Sequence, residues 1–276
     1  MLFNTLLRTK QCQLAAVHVQ GGTVNGDGCP PALVPQVGSF IASDATGQNA
    51  QLCTATLVDA NWVLTSAHCL FSSQQKRLDH FVVYMGLASP RPCYTEKNWG
   101  MVSSCQFPSS YDPTDTSSPD DYAVCKLHQP SGITALPAVG GSAGRVSGGQ
   151  FTNTGIVGYP GGDLGSAEPW GWVPYFEACN TYYHGDEGND QGLNVRAADR
   201  QDPTNPCSFS SGMSGGPLFA TANDGDKWAL SSLYGQDRFV IGVIRGYDGT
   251  ADVQTAIELE AAEGSAAAEN INGWIA

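Results

Sequence analysis

Ser214 is the side chain whose surroundings most clearly suggest chemistry in this 276-residue chain. It lies in Gly-Met-Ser-Gly-Gly-Pro, residues 212–217, where glycines allow a tight turn that exposes a hydroxyl and directs backbone N–H groups at one point. A serine hydroxyl is a weak nucleophile unless an imidazole removes its proton, and a carboxylate must orient that imidazole. Ser214 can therefore act as a nucleophile only together with a suitably placed histidine and acid.

Candidate partners for Ser214 occur earlier in the chain. His68 follows two apolar runs separated by the polar residues 59–61, a pattern that predicts a β-hairpin ending just before the imidazole. Asp120 and Asp121 stand between a proline and an apolar stretch, where a part-buried carboxylate could accept a hydrogen bond from the imidazole and hold its tautomer.

Together these stretches resemble the trypsin-like serine endopeptidases, which have the chymotrypsin fold. Ser-Ala-His-Cys at residues 66–69 is similar to the histidine motif of that family, and Asp-Tyr-Ala-Val at 121–124 is similar to its Asp-Ile-Ala-Leu motif. Residues 212–217 are similar to its Gly-Asp-Ser-Gly-Gly-Pro motif. The order histidine, aspartate, serine is also that of the family, and the resemblance extends from about Val34 onward.

The resemblance implies a serine endopeptidase whose catalytic residues are His68, Asp121 and Ser214, with Asp121 preferred to Asp120. It implies an oxyanion hole made by the backbone N–H groups of Gly212 and Ser214, and it requires no cofactor and no metal. The implied partners are protein or peptide substrates. A catalytically silent homologue that acts as a binding module is the alternative function.

Other interpretations of the serine stretch were weighed against this one. By itself the stretch could be a simple loop, because the chain has 33 glycines. It also fits the Gly-x-Ser-x-Gly turn of α/β-hydrolases, but that fold has its histidine after the serine, and all five histidines precede Ser214. The subtilisin order of acid, histidine and serine remains formally possible, although no strand–helix alternation indicates a parallel sheet.

Met213 departs from the family pattern. In trypsin-like enzymes the residue before the serine is an aspartate that pairs with a freed N-terminus, and an ammonium buried against a thioether would have no counter-charge. We therefore expect activity that does not depend on an N-terminal ion pair. In this respect the chain is similar to the bacterial glutamyl endopeptidase-like branch, which Gly-Tyr-Pro-Gly at 158–161 also resembles.

Specificity is predicted by the same resemblance, which assigns a substrate pocket to Ser208, Phe209, Arg245 and Tyr247. The position at the base of the pocket is Ser208, so the absence of an acid disfavours cleavage after Lys or Arg. Arg245 could favour acidic side chains, but Ile244 stands where the glutamyl endopeptidases have a histidine. We rank an apolar or aromatic preference slightly above an acidic one.

The nine cysteines indicate an oxidising compartment and therefore secretion. Residues 1–10 nevertheless lack an apolar core long enough for a clear signal peptide or membrane span. The resemblance implies a disulfide between Cys53 and Cys69, and strand alternation predicts Cys125 as a buried free thiol. Proximity in sequence suggests three weaker pairings: Cys93 with Cys105, Cys179 with Cys207, and Cys12 with Cys29. No Cys-x-x-Cys or His-x-x-x-His pair indicates structural zinc.

Composition favours an acidic, all-β protein. The formal charge of −13 argues against nucleic acid as a partner, and we expect a monomer that does not bind membranes. Short strands between Gly, Pro, Ser and Asn clusters predict an all-β architecture, and the resemblance implies two six-stranded antiparallel β-barrels with a short C-terminal helix.

The predicted domains are an N-terminal extension (1–33), a first barrel (34–135), a linker (136–150), a second barrel (151–262) and a helix (263–276). Residues 103–119 are predicted to form a long loop. Residues 163–206 are predicted to be an insertion that either shapes substrate access or is only a surface loop.

Overall fold

Antiparallel strands make up most of the regular structure in the part of the chain that the computed structural model describes. The described residues are 35–47, 49–86, 99–115, 118, 120–133, 135, 145–146, 150–160, 175–184, 194–197, 211–221, 238–247, 254–258 and 266–276. No helix in these ranges is long and apolar enough to cross a membrane. The predicted N-terminal extension, residues 1–33, lies outside them.

Six strands in the first half of the chain pair as a closed barrel in the order β1-β2-β3-β6-β5-β4. They are β1 (Val37–Ser43), β2 (Gln51–Asp59), β3 (Trp62–Thr65), β4 (His80–Met85), β5 (Trp99–Gln106) and β6 (Ala123–Leu127). The polar turn after β2 produces the predicted hairpin, and β3 ends immediately before the histidine motif. The barrel thus positions His68 just after the end of β3 and Asp121 just before the start of β6.

Apolar side chains fill the first barrel. Phe40, Leu57, Val63 and Val83 are each fully buried in one cluster, and Phe40 stacks on Phe81 with ring centroids 5.8 Å apart. Burying side chains of this size stabilises the fold by roughly 1.5–3 kcal/mol each. The strand ends that hold the catalytic candidates therefore rest on a well-packed support.

The second half of the chain forms a seven-stranded antiparallel sheet in the order β11-β12-β13-β10-β9-β8-β7. Because β11 also pairs with β8, the six strands β8 to β13 form a closed circuit of hydrogen-bonded neighbours. The strands are β7 (Arg145–Val146), β8 (Gln150–Gly158), β9 (Tyr175–His184), β10 (Asn194–Ala197), β11 (Pro217–Thr221), β12 (Arg238–Tyr247) and β13 (Gln254–Glu258). The all-β architecture of two six-stranded barrels is as the sequence predicts.

Two predicted irregular segments contain strands. The predicted loop at 103–119 begins inside β5, and β9 and β10 lie within the predicted insertion at 163–206. The exposed Met101, Ser103 and Ser104 give β5 little of the apolar alternation that predicts a strand, although it pairs on both edges, with β4 and β6. Backbone pairing therefore defines this strand where side-chain pattern does not.

The structure contains the predicted disulfide between Cys53 and Cys69, whose Cα atoms are 6.1 Å apart. A second disulfide joins Cys105 to Cys125, so the predicted free thiol at Cys125 and the predicted pairing of Cys105 with Cys93 are both wrong. The reason is the register of β5 on β6, which places Cys105 directly opposite Cys125. The other two suggested pairings involve side chains outside the described residues.

The C-terminal helix α1 (Ala266–Ile275) packs where residues of both barrels meet. Ile271 is fully buried in a cluster that includes Tyr122 from the first barrel and Val243 from the second. Asn270 Nδ2 donates a hydrogen bond to the Tyr122 hydroxyl over 2.7 Å, and the ring centroids of Trp274 and Tyr122 are 5.9 Å apart. The helix thereby contacts the residue that follows Asp121.

Removing the disulfide of Cys105 and Cys125 by a double substitution to Ala is expected to lower the free energy of unfolding by about 3 kcal/mol, because the bridge closes a loop of 20 residues in the unfolded chain. Urea denaturation measures this loss. Peptide mapping without reduction should recover the two cysteines cross-linked. Alkylation of Cys125 in the folded, unreduced protein would contradict the pairing.

Asn270→Ala is expected to lower the free energy of unfolding by about 1 kcal/mol, since it deprives the buried Tyr122 hydroxyl of its donor. Asn272→Ala is the matched control, because Asn272 is exposed on the same helix and should change stability little. Chemical denaturation of Asn270→Ala, Tyr122→Phe and the double variant measures the interaction free energy between the two side chains. Strictly additive losses would show that the two side chains are not coupled.

Candidate active site

His68 is held by the turn that follows β3. It lies in a short 3-10 helix, Ala67–Leu70, in which the neighbouring Ala67 and Leu70 are fully buried. The buried Ser66 hydroxyl donates a hydrogen bond to the Ile244 carbonyl of β12 over 2.7 Å. The disulfide to Cys53 anchors the next residue, Cys69, to β2. The histidine turn is therefore attached to both barrels.

Asp121 fixes His68 through two hydrogen bonds. One carboxylate oxygen accepts from the backbone N–H of His68 over 2.7 Å, and the other lies 2.7 Å from the ring nitrogen Nδ1. The Asp121 side chain is 6% exposed and the His68 side chain 29% exposed. With Nδ1–H donating to the carboxylate, Nε2 is left as the nitrogen that can accept a proton.

The loop before Asp121 determines which of the two adjacent acids reaches the imidazole. The Tyr122 backbone N–H bonds to the Asp120 carbonyl over 2.8 Å, and the Asp120 backbone N–H bonds to the Ser118 hydroxyl over 3.2 Å. Arg245 on β12 donates from Nη1 to the Ser118 carbonyl over 3.2 Å. This bonding places Asp121, and not Asp120, against His68.

Tyr111 is a buried phenol in the same surroundings. Burial raises its pKa far above the ordinary value, and the negative charges of Asp121 and Asp112 act in the same direction, whereas Arg245 opposes them. Tyr111 is therefore neutral at physiological pH. The surroundings of Asp121 thus include the uncharged hydroxyl of Tyr111 and the buried guanidinium of Arg245.

The serine turn depends on glycine at two positions. Gly212 and Gly215 have φ angles of 89° and 83°, which L side chains rarely adopt. A Cβ atom at Gly215 would also overlap Thr65 Oγ1 and the Thr54 carbonyl of the first barrel. The turn can therefore pack this closely against β2 only with glycine at this position.

The backbone N–H groups of Gly212 and Ser214 are available to a ligand. Neither of them donates a hydrogen bond to any other residue in the described part of the chain. By contrast, the Gly215 and Gly216 N–H groups are occupied by the carbonyls of Ile244 and Met213, at 2.7 and 2.9 Å. Two free donors beside a serine are the elements of an oxyanion-binding site.

The Cys69 sulfur lies close to both His68 and the backbone of Ser214. That atom lies 3.7 Å from His68 Nε2 and 3.8 Å from the Ser214 carbonyl oxygen. Within the described residues the Ser214 hydroxyl and His68 Nε2 form no hydrogen bond to each other, and such bonds often tighten only when substrate binds. The structure thus places the His68–Asp121 pair near the backbone of Ser214.

A cavity of about 490 Å³ opens beside His68 on the first barrel. Its lining is about equally polar and apolar: the polar side is uncharged, from Asn49, Gln51, Ser72, Ser73 and Gln75, and the apolar side comes from Ala50, Phe71 and Pro113. The described residues that line it all belong to the first half of the chain. The part-exposed His68 side chain therefore borders an open space with polar and apolar walls.

One group of metal-ligand type occurs among the described residues: the ligand atoms of Cys53, His68 and Cys69 lie within 4.8 Å of one another. The two sulfurs are bonded to each other, so neither is a thiolate that could bind a metal.

The predicted specificity residues are only partly described. Ser208 and Phe209 lie outside the described residues, as does the side chain of Tyr247. Arg245 is 7% exposed, and one of its nitrogens bonds to the loop before Asp121. The composition of that pocket remains a prediction from sequence.

Sequence reasoning assigned no role to Thr54, which bonds to the serine turn. Its backbone N–H donates to the Ser214 carbonyl and its hydroxyl to the Gly212 carbonyl, both over 2.8 Å. The only hint of these contacts in the sequence is the position of Thr54 next to Cys53. Residue type and burial do not distinguish it, because Thr56 on the same strand shares both.

Comparison with known proteins agrees with this geometry. The sequence model of the trypsin family matches residues 23–258. The structure is similar to the thermostable serine protease AL20 from an extremophilic microorganism, with a TM-score of 0.56 and 18% identity over 88% of this chain and 97% of that chain. It is also similar to a Glu endopeptidase in complex with MPD, with a TM-score of 0.57 and 16% identity over 87% and 90% of the two chains.

A third similar structure is the protease Anisep from Arthrobacter nicotinovorans, with a TM-score of 0.52 and 16% identity over 82% of this chain and 90% of that one. At these identities the three similarities establish the fold. Because the family match spans most of its length, the protein belongs to the trypsin family and has the chymotrypsin fold of its serine proteases.

Proposed function

We propose that the protein is a serine endopeptidase that hydrolyses peptide bonds through an acyl-enzyme intermediate. The observation that carries this proposal is the pair of 2.7 Å hydrogen bonds by which Asp121 holds the backbone and ring of His68. They leave Nε2 as the nitrogen that can accept a proton, as general-base activation of a hydroxyl requires, and the Cys69 sulfur 3.7 Å from Nε2 also lies 3.8 Å from the Ser214 carbonyl oxygen.

In the proposed reaction, the Ser214 hydroxyl attacks the carbonyl carbon of the scissile peptide bond while His68 Nε2 accepts its proton. The resulting imidazolium is stabilised by the Asp121 carboxylate and then protonates the leaving amine as the C–N bond breaks. Water attacks the acyl-enzyme by the same proton transfers in reverse order, which releases the acid product and restores the hydroxyl.

The N–H groups of Gly212 and Ser214 are the proposed donors to the oxyanion of each tetrahedral intermediate. Neither N–H donates a hydrogen bond within the residues that the structure describes, which supports this role. Each donor in a comparable site stabilises the transition state by roughly 3 kcal/mol.

The cavity beside His68 is the proposed binding site for the leaving-group side of the substrate. His68 delivers a proton to the leaving amine, so the chain beyond that amine must run past the imidazole, where the cavity opens. For the other side of the bond, Ser208 in place of an acid supports a preference other than Lys or Arg.

The proposed setting is extracellular, acting as a monomer on protein or peptide substrates. Disulfides such as the two described here persist in oxidising compartments.

Ser214→Ala is expected to abolish labelling by a fluorophosphonate probe and to reduce peptide hydrolysis by at least ~10³-fold, while the thermal unfolding midpoint is retained. Ser104→Ala is the matched control, because Ser104 is exposed on β5 away from the catalytic residues. If the wild-type protein is not labelled, the silent binding module becomes the better description of its function.

Asp121→Asn is expected to lower kcat by roughly 10⁴-fold, since an amide favours the wrong tautomer of the imidazole. Asp120→Asn should change kcat much less, because the bonds to His68 come from the neighbouring carboxylate. Steady-state kinetics on one peptide substrate compares the two variants. Equal losses would contradict the assignment of Asp121.

Ser73→Trp is expected to raise KM at least several-fold for peptides that extend beyond the scissile bond on the leaving-group side, because an indole would fill part of the cavity. A substrate with the same acyl part and a small nitroanilide leaving group should be cleaved with unchanged KM. The control variant is Ser104→Trp. A similar rise in KM for both substrates would exclude the proposed side of binding.

A further inference from the structure

The turn around Ser214 needs a constraint that its own sequence does not provide. Gly212 has a φ angle of 89° and no side chain to restrict it, yet the proposed function requires its N–H and that of Ser214 to point at one oxygen. Met213 cannot form an ion pair. Some other contact must therefore hold the turn.

Thr54 is fully buried and makes three hydrogen bonds to the second barrel, two of them to this turn. Its backbone N–H donates to the Ser214 carbonyl over 2.8 Å, and its hydroxyl donates to the Gly212 carbonyl over 2.8 Å. The same hydroxyl accepts the backbone N–H of Tyr159 over 2.9 Å. Thr54 thus joins β2 of the first barrel to two strand ends of the second.

These bonds fix successive peptide planes of the turn. Thr54 holds the Gly212 and Ser214 carbonyls, and the Gly216 N–H holds the Met213 carbonyl over 2.9 Å. Because a trans peptide is planar, holding the Met213 carbonyl also directs the Ser214 N–H to the opposite side. The Thr54 hydroxyl bonds to the Gly212 carbonyl and so fixes the peptide between Gly212 and Met213, which joins the two peptides that carry the Gly212 and Ser214 N–H groups.

Met213 contributes packing. It is 1% exposed, and a Cβ atom at Gly158 would lie 2.8 Å from its Cβ and Cγ atoms. The residue after Gly158 is held as well, since the Tyr159 hydroxyl donates a hydrogen bond to the Val37 carbonyl over 3.2 Å. Met213 is therefore buried and closely packed against Gly158.

We propose that Thr54 is a positioning residue that holds the oxyanion-binding turn in its active conformation by hydrogen bonding, in place of an ion pair at position 213. This inference rests on the proposed endopeptidase function. Thr54 acts through Gly212 and Ser214 and does not touch the reacting atoms itself.

Thr54→Val is the direct test, because it removes the hydroxyl and keeps the branched shape. We expect kcat for a peptide amide to fall by ~10- to 100-fold with KM changed less than about threefold, a loss below that of deleting a whole oxyanion donor. The inhibition constant of a peptidyl boronate, which places an oxygen in the same hole, should rise by a similar factor. Thr54→Ser should restore both values to near wild type.

Thr56→Val is the matched control. Thr56 is also fully buried on β2, and its hydroxyl has no hydrogen-bond partner. This variant should fold and cleave as the wild type does. If Thr54→Val does not fold, Thr54→Ala replaces it, since a water molecule can bridge the Gly212 carbonyl and the Tyr159 N–H there, and its kcat should lie below that of Thr54→Ser.

The outcomes separate this inference from the proposed function. A wild-type protein that reacts with fluorophosphonate at Ser214 establishes the endopeptidase site independently of Thr54. If Thr54→Val then retains the wild-type kcat and boronate inhibition, the inference is overturned and the proposed function stands. Equal losses in Thr54→Val and Thr56→Val, or no recovery in Thr54→Ser, would likewise overturn it.

Discussion

Hydrogen bonds between the two barrels are the constraint on which the site depends. The Ser66 hydroxyl bonds to the Ile244 carbonyl, and Thr54 bonds to the Gly212 and Ser214 carbonyls, and of these residues only Ser214 is partly exposed. Each such bond contributes only about 1 kcal/mol net to stability, but a buried partner left without one costs more. The two barrels are therefore held in the one arrangement that satisfies these groups, and His68 meets the serine turn as a consequence.

The catalytic candidates were predictable because each depends on a local pattern. His68 follows a hairpin with a polar turn, and Ser214 sits among glycines, two of which have positive φ angles. The choice of Asp121 over Asp120 came from a motif. Its physical basis, a loop whose backbone bonds present one carboxylate and not the other, was visible only in three dimensions.

The features that sequence did not predict depend on strand register or on contacts between distant residues. The disulfide of Cys105 with Cys125 follows from the register of β5 on β6, and β5 lacks the apolar alternation that would have indicated it. Thr54 and Thr56 are the same residue type on the same face of one strand, and both are fully buried. One holds the serine turn and the other has an unpartnered hydroxyl, a difference that no local pattern could contain.

Met213 and Thr54 are best understood together. An ion pair restrains a turn by attraction to a single buried charge, which must be matched or costs several kcal/mol. Neutral hydrogen bonds from a strand of the other barrel restrain the same turn without any buried charge, provided that glycine at position 215 lets the two backbones approach. With the proposed role of Thr54, the site needs no new N-terminus, because the restraining groups belong to the folded barrels themselves.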